Sequence, residues 1–295
     1  MSTNETEYRA HPALNWSRAK HILPPGSPKR YRWRLDNPVR PTQRMNEGTV
    51  FHTLCLEPDK ADSTVCVWEG AQSLPEGSFA LWEGSRRGKA WQEFEAEHAH
   101  LPILTASEVA KSNESQTRRG NVWEAFQLAY PGQLTLTPGE WDRIRRAADT
   151  TLAHPVAGRM IREAREAGLV EVPEIFECPE TGMRCKRKKD GPFWDLKLTA
   201  ELHRFRNVAQ GFHYAGQLGW YFPDRPPFII ATSDRDETDC AVFELDSIEW
   251  AFGRKLAIEA RRLVKQHTET DTWPGLFPDV EPLGLSEFYM QEMAA

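Results

Sequence analysis

The chain has 295 residues, of which 40% are hydrophobic and 27% are charged, and its formal net charge is −6. No apolar run approaches the roughly 20 residues that a membrane helix needs, so a membrane-spanning protein is excluded. The negative net charge also argues against purely nonspecific nucleic-acid binding, because that binding relies on Lys and Arg to neutralise phosphates.

The five cysteines argue against two further classes of protein. Their number is odd, they are widely spaced, and no Cys-x-x-Cys motif occurs. This pattern argues against a disulfide framework and against a four-cysteine metal site. The first ten residues are polar and lack the basic start and apolar run of a signal peptide. We therefore expect a cytoplasmic protein with buried, reduced thiols.

Residues 1–45 are rich in Pro and Arg and predict an irregular N-terminal arm with one short helix, capped by Asn15 or Ser17. Residues 47–57 predict a short buried helix after a turn at Gly48, with His52 in its middle. A histidine in this setting is more often a core residue than a site residue. We place the main domain at residues 46–295, with a helical insertion at about 85–167.

The insertion contains a weak internal echo. Arg86, Trp91, Phe94, Leu104 and Glu108 recur 32 residues later. Each copy predicts an amphipathic helix, a short extended segment and a new helix start. Two copies are too few for a solenoid, so local duplication and coincidence both remain open. The later copies are Arg118, Trp123, Phe126, Leu136 and Glu140.

The second half of the chain alternates between helical and extended patterns. Two helices are predicted within residues 138–167, followed by three extended segments that form an antiparallel meander up to Leu198. A helix then spans about 204–221, strands follow at 227–232 and 240–245, and a long helix begins at Ile248. This order predicts an α/β fold with a mixed central sheet flanked by helices.

The third extended segment carries the motif that points to chemistry, Asp195-Leu196-Lys197. Side chains alternate along a strand, so Asp195 and Lys197 share one face. A hairpin would place Asp190 opposite Asp195, where cross-strand Cβ atoms lie roughly 4.5–5.5 Å apart. Carboxylates so close favour a bound Mg²⁺, with Mn²⁺ as an alternative, and a neighbouring lysine can stabilise charge on a phosphate. The alternative without a function is a surface hairpin whose charged side chains are only solvated.

A basic cluster leads into this motif. It could contact DNA phosphates, or it could only solvate the hairpin. Its members are Lys186, Arg187, Lys188 and Lys189.

Several short motifs in order resemble the exodeoxyribonuclease VIII (RecE-type) family of PD-(D/E)XK nucleases. The resemblance runs from about His11 to the C-terminus. It rests on Glu47-Gly48-Thr49-Val50-Phe51-His52 with Leu56-Glu57-Pro58, on Pro179-Glu180-Thr181-Gly182 with Cys185 and Asp190, on Asp195-Leu196-Lys197, and on Gln217-Leu218-Gly219-Trp220-Tyr221.

The resemblance implies an active site and assigns roles within it. His52 and Gln217 would lie in the site, Lys197 would be the catalytic lysine, and Asp190 and Asp195 would hold the metal. The family's further acidic residue falls on Glu171, with Glu174 as the alternative. Tyr221 would contact DNA.

The function implied is a metal-dependent 5′-to-3′ exonuclease that resects duplex DNA for recombination. An endonuclease on the same fold and an inactive DNA-binding homologue are the alternatives. The family also implies a homo-oligomer and a single-strand annealing protein as partner. The chain departs from the family pattern at Lys188-Lys189, where the family has Arg-Pro, and its two aspartates are closer in sequence.

Overall fold

The computed structural model describes residues 5–277, except residues 212 and 236. The predicted domain continues to residue 295, so its end lies outside the described residues. Within the described ranges, no helix combines the length and the apolar character needed to cross a membrane.

The N-terminal segment is helical and packed rather than irregular. It contains α1 (Glu5–Ala10), α2 (Trp16–Ala19), a 3₁₀ turn (Lys20–Ile22) and α3 (Pro28–Asp36). The Asn15 side chain accepts a hydrogen bond from the Arg18 amide and caps α2, as predicted. The expected irregular arm with one helix is wrong, because buried contacts of Trp16 and Ile22 with Trp220 stabilise helices too short to be stable alone.

The helix that carries His52 is longer than predicted. Helix α4 spans Gln43–Leu56 and begins at a Thr42 cap, so Gly48 lies inside the helix and not in a turn. Val50 and Phe51 are fully buried and fix its inner face. A 3₁₀ turn (Pro58–Lys60) and α5 (Ala61–Thr64) follow.

The insertion alternates short strands and helices. Its elements are β1 (Val65–Val67), β2 (Ala80–Trp82), α6 (Lys89–Glu97), β3 (Ile103–Thr105), α7 (Ala106–Ser115), α8 (Asn121–Ala129), β4 (Leu134–Leu136), α9 (Pro138–Ala153) and α10 (Pro155–Glu166). Strand β1 pairs with β4 and β2 pairs with β3, both in parallel.

The internal echo is confirmed as a repeated local structure. Gly88 and Gly120 precede α6 and α8 with φ of 83° and 78°. A Thr–Glu capping box starts both α7 and α9. Arg86 contacts Glu108 at 2.8 Å, and Arg118 contacts Glu140 at 3.4 Å, so the same ion pair ties the loop to the capped helix in both copies.

The remaining elements build a three-stranded central sheet, a separate two-stranded sheet and the helices that cover them. They are β5 (Val172–Glu177), β6 (Arg184–Lys189), β7 (Trp194–Thr199), a 3₁₀ turn (Leu202–Arg204), α11 (Phe205–Gly211), α12 (Tyr214–Tyr221), β8 (Phe228–Ser233), β9 (Cys240–Glu244) and α13 (Ser247–Thr270).

The strand pairing differs from the predicted meander in one place. Strands β5 and β6 form the expected antiparallel hairpin. Strand β7, however, pairs in parallel with β8, which in turn pairs antiparallel with β9. The prediction that β7 continues the meander is therefore wrong. The predicted mixed sheet is confirmed.

Helices cover both faces of this sheet. Ile230 of β8 packs in a core that contains Val50 of α4 and Ile144 of α9. Its neighbour Ile229 points the other way and packs with Leu218 of α12. Because side chains alternate along a strand, the polar positions of β7 face one of these helical layers.

Candidate active site

Strand β7 separates an apolar face from a charged one. Trp194 and Leu196 are fully buried in the core shared with α4, α9 and α10. Asp195 and Lys197 alternate with them and meet residues of α12. The predicted alternation is confirmed, and it places the Asp195 carboxylate and the Lys197 amine on the same face of β7.

Asp190 follows β6 and turns inward. It is 8% exposed, and its carboxylate accepts a hydrogen bond of 2.7 Å from the Leu196 amide on β7. The short connection leaves little room, since a Cβ on Gly191 would lie 2.1 Å from the Trp194 ring. Asp190 thus lies beside the Asp195-Leu196 segment and does not point to solvent.

Three ligand-type side chains converge from separate elements. Nδ1 of His52 lies 3.7 Å from Oε1 of Glu171 and 3.6 Å from Oδ1 of Asp190. One potential ligand atom from each residue lies within 4.8 Å of the others. Glu171 precedes β5 with a left-handed φ of 52°, a rare conformation for a residue with a side chain, and its amide donates to the Asp190 carbonyl at 3.4 Å.

Asp195 is engaged on both of its oxygens. One contacts the Lys197 amine, and the other accepts a hydrogen bond of 3.3 Å from the Gln217 amide of α12. The Lys197 amine also lies 5.0 Å from the centre of the Tyr214 ring. Burial and the charges of Asp195 and Asp190 raise the pKa of the Tyr221 hydroxyl.

Several carboxylates lie close together in a mostly buried position, and this shifts the pKa values of the groups in the cluster. Burial and, against the effect of His52, the nearby Asp195 raise the pKa of Asp190 to about 7. Burial opposes ionisation of Glu171 as well, but His52 and Lys188 lower the pKa of that carboxyl to about 2. Burial opposes protonation of His52, and Asp190 and Glu171 outweigh it and raise the pKa of the imidazole.

These residues fit a hard divalent cation. Carboxylate oxygens with one imidazole suit Mg²⁺ or Mn²⁺ better than soft metals. The raised pKa of Asp190 is a property of this structure that a cation would relieve, since a positive charge favours the ionised carboxylate. His52, Glu171 and Asp190 would hold the ion, and Asp195 lies next to them.

Two cations of the basic cluster on β6 contact other groups of the same chain. Lys186 is 7% exposed and donates to the carbonyls of Tyr8 and His11, at 2.8 and 2.7 Å. Arg187 makes a bidentate contact with Glu174, at 2.7 and 2.9 Å. The structure therefore corrects the DNA-contact interpretation for Lys186 and Arg187, because both cations are used inside the fold.

The other two lysines of the cluster are partly exposed. Lys188 contacts Glu171 at 2.6 Å and Glu5 at 3.5 Å. Lys189 lies 3.7 Å from Glu174. Of the two acidic candidates, Glu171 lies in the cluster with His52, whereas Glu174 pairs with Arg187 and Lys189. Lys188 and Lys189 stay predicted DNA contacts.

An ion network that the sequence did not indicate ties α4 to the sheet. Arg44 and Arg143 each contact both Glu47 and Asp234. The Asp234 amide also donates to the Thr199 carbonyl at the end of β7, at 3.1 Å. The network therefore fixes the helix that carries His52 relative to the strand that carries Lys197. No local pattern could have found it, because Arg44 and Asp234 are 190 residues apart.

A cleft of about 740 Å³ gives access to the cluster. Its lining includes Glu5, His52, Glu171 and Lys188. The cluster is thus reachable from one side of the molecule while its carboxylates stay mostly buried.

No protein-family model and no curated relative matches the chain. Among solved structures, the chain is similar to the crystal structure of a protein from Eubacterium rectale described as a "putative exonuclease". The two share 10% identity with a TM-score of 0.47, over 98% of each chain. We draw no functional conclusion from a similarity at this level.

Proposed function

We propose that the protein is a divalent-metal-dependent deoxyribonuclease that hydrolyses phosphodiester bonds. The observation that carries the proposal is the convergence of His52, Glu171 and Asp190 within 4.8 Å, beside the Asp195–Lys197 pair. Metal-binding carboxylates next to a buried lysine suit the attack of water on a phosphodiester.

The residues of the site would have different roles in the reaction. A cation bound by the cluster would polarise the phosphodiester and lower the pKa of a bound water. Burial opposes protonation of Lys197, but Asp195 and Asp190 outweigh it and raise the pKa of the amine. The amine therefore stays protonated and can donate hydrogen bonds to a phosphate oxygen. Gln217 would hold Asp195 in place through its hydrogen bond.

Exonuclease activity with 5′-to-3′ polarity, a role in recombination, a homo-oligomeric state and an annealing partner are also proposed. They are supported by the RecE-type resemblance of the motifs around His52, Asp195 and Gln217, and by nothing in the geometry.

A non-catalytic DNA-binding homologue is the second candidate, and one contact favours it. The Lys188 amine lies 2.6 Å from Glu171, at a position where the resembled family has no lysine. A lysine that neutralises Glu171 could take the place of the cation.

One assay separates these candidates. Linear and circular duplex DNA are incubated with the protein in Mg²⁺ and in EDTA. An exonuclease degrades only the linear form in Mg²⁺, whereas an endonuclease cuts both forms. Binding without cleavage of either form in Mg²⁺ or Mn²⁺ would favour the non-catalytic homologue, and full cleavage in EDTA would end the metal-dependent reading.

A further inference from the structure

A small basic cavity lies next to the candidate active site. It has a volume of about 170 Å³ and is formed between the 3₁₀ turn after α2, the start of α3 and the segment between α11 and α12. Its polar lining consists of Lys20, His21, Arg30 and His213, and the rest of its lining carries no charge.

The cations of this cavity have no anionic partner among the described residues. No ion pair or side-chain hydrogen bond of the described ranges involves the Lys20 amine or the Arg30 guanidinium. Arg32, two residues later on the same helix, is paired with Asp36 at 3.0 Å. Nearby, Nε of Arg34 is buried and has no hydrogen-bond partner. Lys20 is partly buried and Arg30 is exposed. An unpaired cation at a partly buried position is costly, and an anion in the cavity would relieve that cost for Lys20.

The same cations lower the pKa values of the two histidines in the cavity. Burial and the charges of Lys20, Arg34 and Arg30 lower the pKa of His21 to about 4. Burial and the charge of Lys20 also lower the pKa of His213. Two neutral histidines beside two unpaired cations make a surface that can donate hydrogen bonds to an anion from several directions.

The cavity is connected to the site by helix α12. His213 is followed directly by Tyr214, whose ring centre lies 5.0 Å from the Lys197 amine. Gln217 of the same helix donates to Asp195. Burial lowers the pKa of Lys20, and the charge of Lys197 lowers it further, so the charge of Lys197 adds to the positive potential at the cavity. Because His213 lines the cavity and the adjacent Tyr214 contacts Lys197, a strand whose phosphodiester lies at Lys197 can present a neighbouring phosphate to the cavity.

We propose that the cavity formed by Lys20, His21, Arg30 and His213 binds a phosphate group of the DNA strand held at Lys197. The identity of the strand rests on the proposed function, whereas the affinity for phosphate rests on the cavity alone. The phosphate is either the terminal monoester of a strand end or an internal diester, and both present the same oxygen acceptors.

The first experiment tests the cavity without metal, DNA or cleavage. Inorganic phosphate is titrated into the full-length protein in EDTA, and the His21 ring signals are followed by NMR across pH. Bound phosphate should raise the pKa of His21 from about 4 by roughly one unit or more. Lys20→Met and Arg30→Met should each weaken phosphate binding by roughly tenfold or more.

The matched control is Arg32→Met, which removes an exposed arginine from the same helix but not from the cavity. It should leave phosphate affinity unchanged. A His21 signal that does not respond to phosphate, or a control that weakens binding as much as Lys20→Met, would overturn the proposal.

The second experiment identifies the source of the phosphate. Short linear duplexes with phosphorylated or hydroxyl ends at either strand terminus are bound to the protein in EDTA. Tighter binding of one phosphorylated end, lost in Lys20→Met, assigns the cavity to a strand terminus. Equal binding of all ends, weakened by Lys20→Met, assigns it to an internal phosphate. Binding that Lys20→Met leaves unchanged overturns the assignment to DNA.

The two proposals fail in different ways. If phosphate binds and raises the pKa of His21 but DNA is not cleaved in Mg²⁺, the cavity stands and the nuclease function falls. If DNA is cleaved in Mg²⁺ but phosphate does not bind, the nuclease function stands and the proposal for the cavity falls.

Discussion

Asp190 is the residue at which function and stability conflict most directly. It is buried, and burial together with Asp195 raises the pKa of its carboxyl from 3.8 to about 7. A folded-state pKa above the unfolded value means that the folded protein binds the proton more tightly. The stability contributed by this group is therefore present below pH 4 and is lost as the pH rises through about 7.

Replacing Asp190 with Asn should stabilise the metal-free protein at high pH. Asn keeps an oxygen that can accept from the Leu196 amide, but it carries no charge. In EDTA at pH 8, Asp190→Asn should raise the melting temperature by roughly 2–6 °C, and near pH 4 the difference should vanish. Thermal melts at both pH values test this. A variant that is less stable than the wild type at pH 8 would show that the ionised carboxylate is already compensated.

Metal affinity should depend on pH for the same reason. Ligands must lose their protons to bind a cation, and here the pKa of Asp190 is about 7 and that of His52 is raised. Affinity for Mg²⁺ or Mn²⁺ should therefore rise between pH 6 and 8, by up to about tenfold per unit for each proton released. Calorimetry in buffers of different ionisation enthalpy measures both quantities. Binding that releases no proton at pH 6.5 would contradict this assignment of ligands.

At the scale of elements, the local patterns of the sequence predicted strands and long helices well. The third extended segment was predicted to end at Leu198, and β7 ends at Thr199. Helix α13 begins within one residue of its predicted start. The pairing partner of β7 was not predictable, because a parallel pair is set by the packing of distant elements. The helix expected at 204–221 is two helices, α11 and α12, with His213 in a left-handed conformation just before α12.

The connection between β6 and β7 should tolerate no side chain at Gly191. A Cβ there would lie 2.1 Å from the Trp194 ring, so the loop or the ring must move. We expect Gly191→Ala to lower the free energy of unfolding by roughly 1–3 kcal/mol and to reduce cleavage, because the loop positions Asp190. Denaturant unfolding and a cleavage assay measure the two effects.

Gly139→Ala is the control for this variant. Gly139 lies in the first turn of α9, and a Cβ there meets nothing within 4 Å. It should leave cleavage unchanged and should not lower the free energy of unfolding, because alanine suits a helix at least as well as glycine. Wild-type behaviour of Gly191→Ala would show that the loop has room and does not position Asp190.

At the scale of the whole molecule, the sequence indicated which site residues lie together, but it did not indicate which groups pair with the neighbouring cations. The motifs that resemble the RecE-type family named His52, Glu171 and Asp190, and these residues converge. The basic run on β6 suggested DNA contacts, yet Lys186 bonds to the Tyr8 and His11 carbonyls, which lie 178 and 175 residues away. Partners so distant follow from tertiary packing and leave no local signal.

In the proposed function, DNA cleavage depends on a divalent cation held by His52, Glu171 and Asp190. The decisive measurement is the rate of linear duplex cleavage in Mg²⁺ by Asp190→Asn, compared with the wild type and with Asp142→Asn on the exposed face of α9. Asn keeps the acceptor for the Leu196 amide but removes the charge that a cation needs. We predict a loss of roughly 100-fold or more for Asp190→Asn with the fold intact, and no loss for Asp142→Asn. Unchanged cleavage by a folded Asp190→Asn protein, or equal rates in Mg²⁺ and EDTA, would contradict the proposed function.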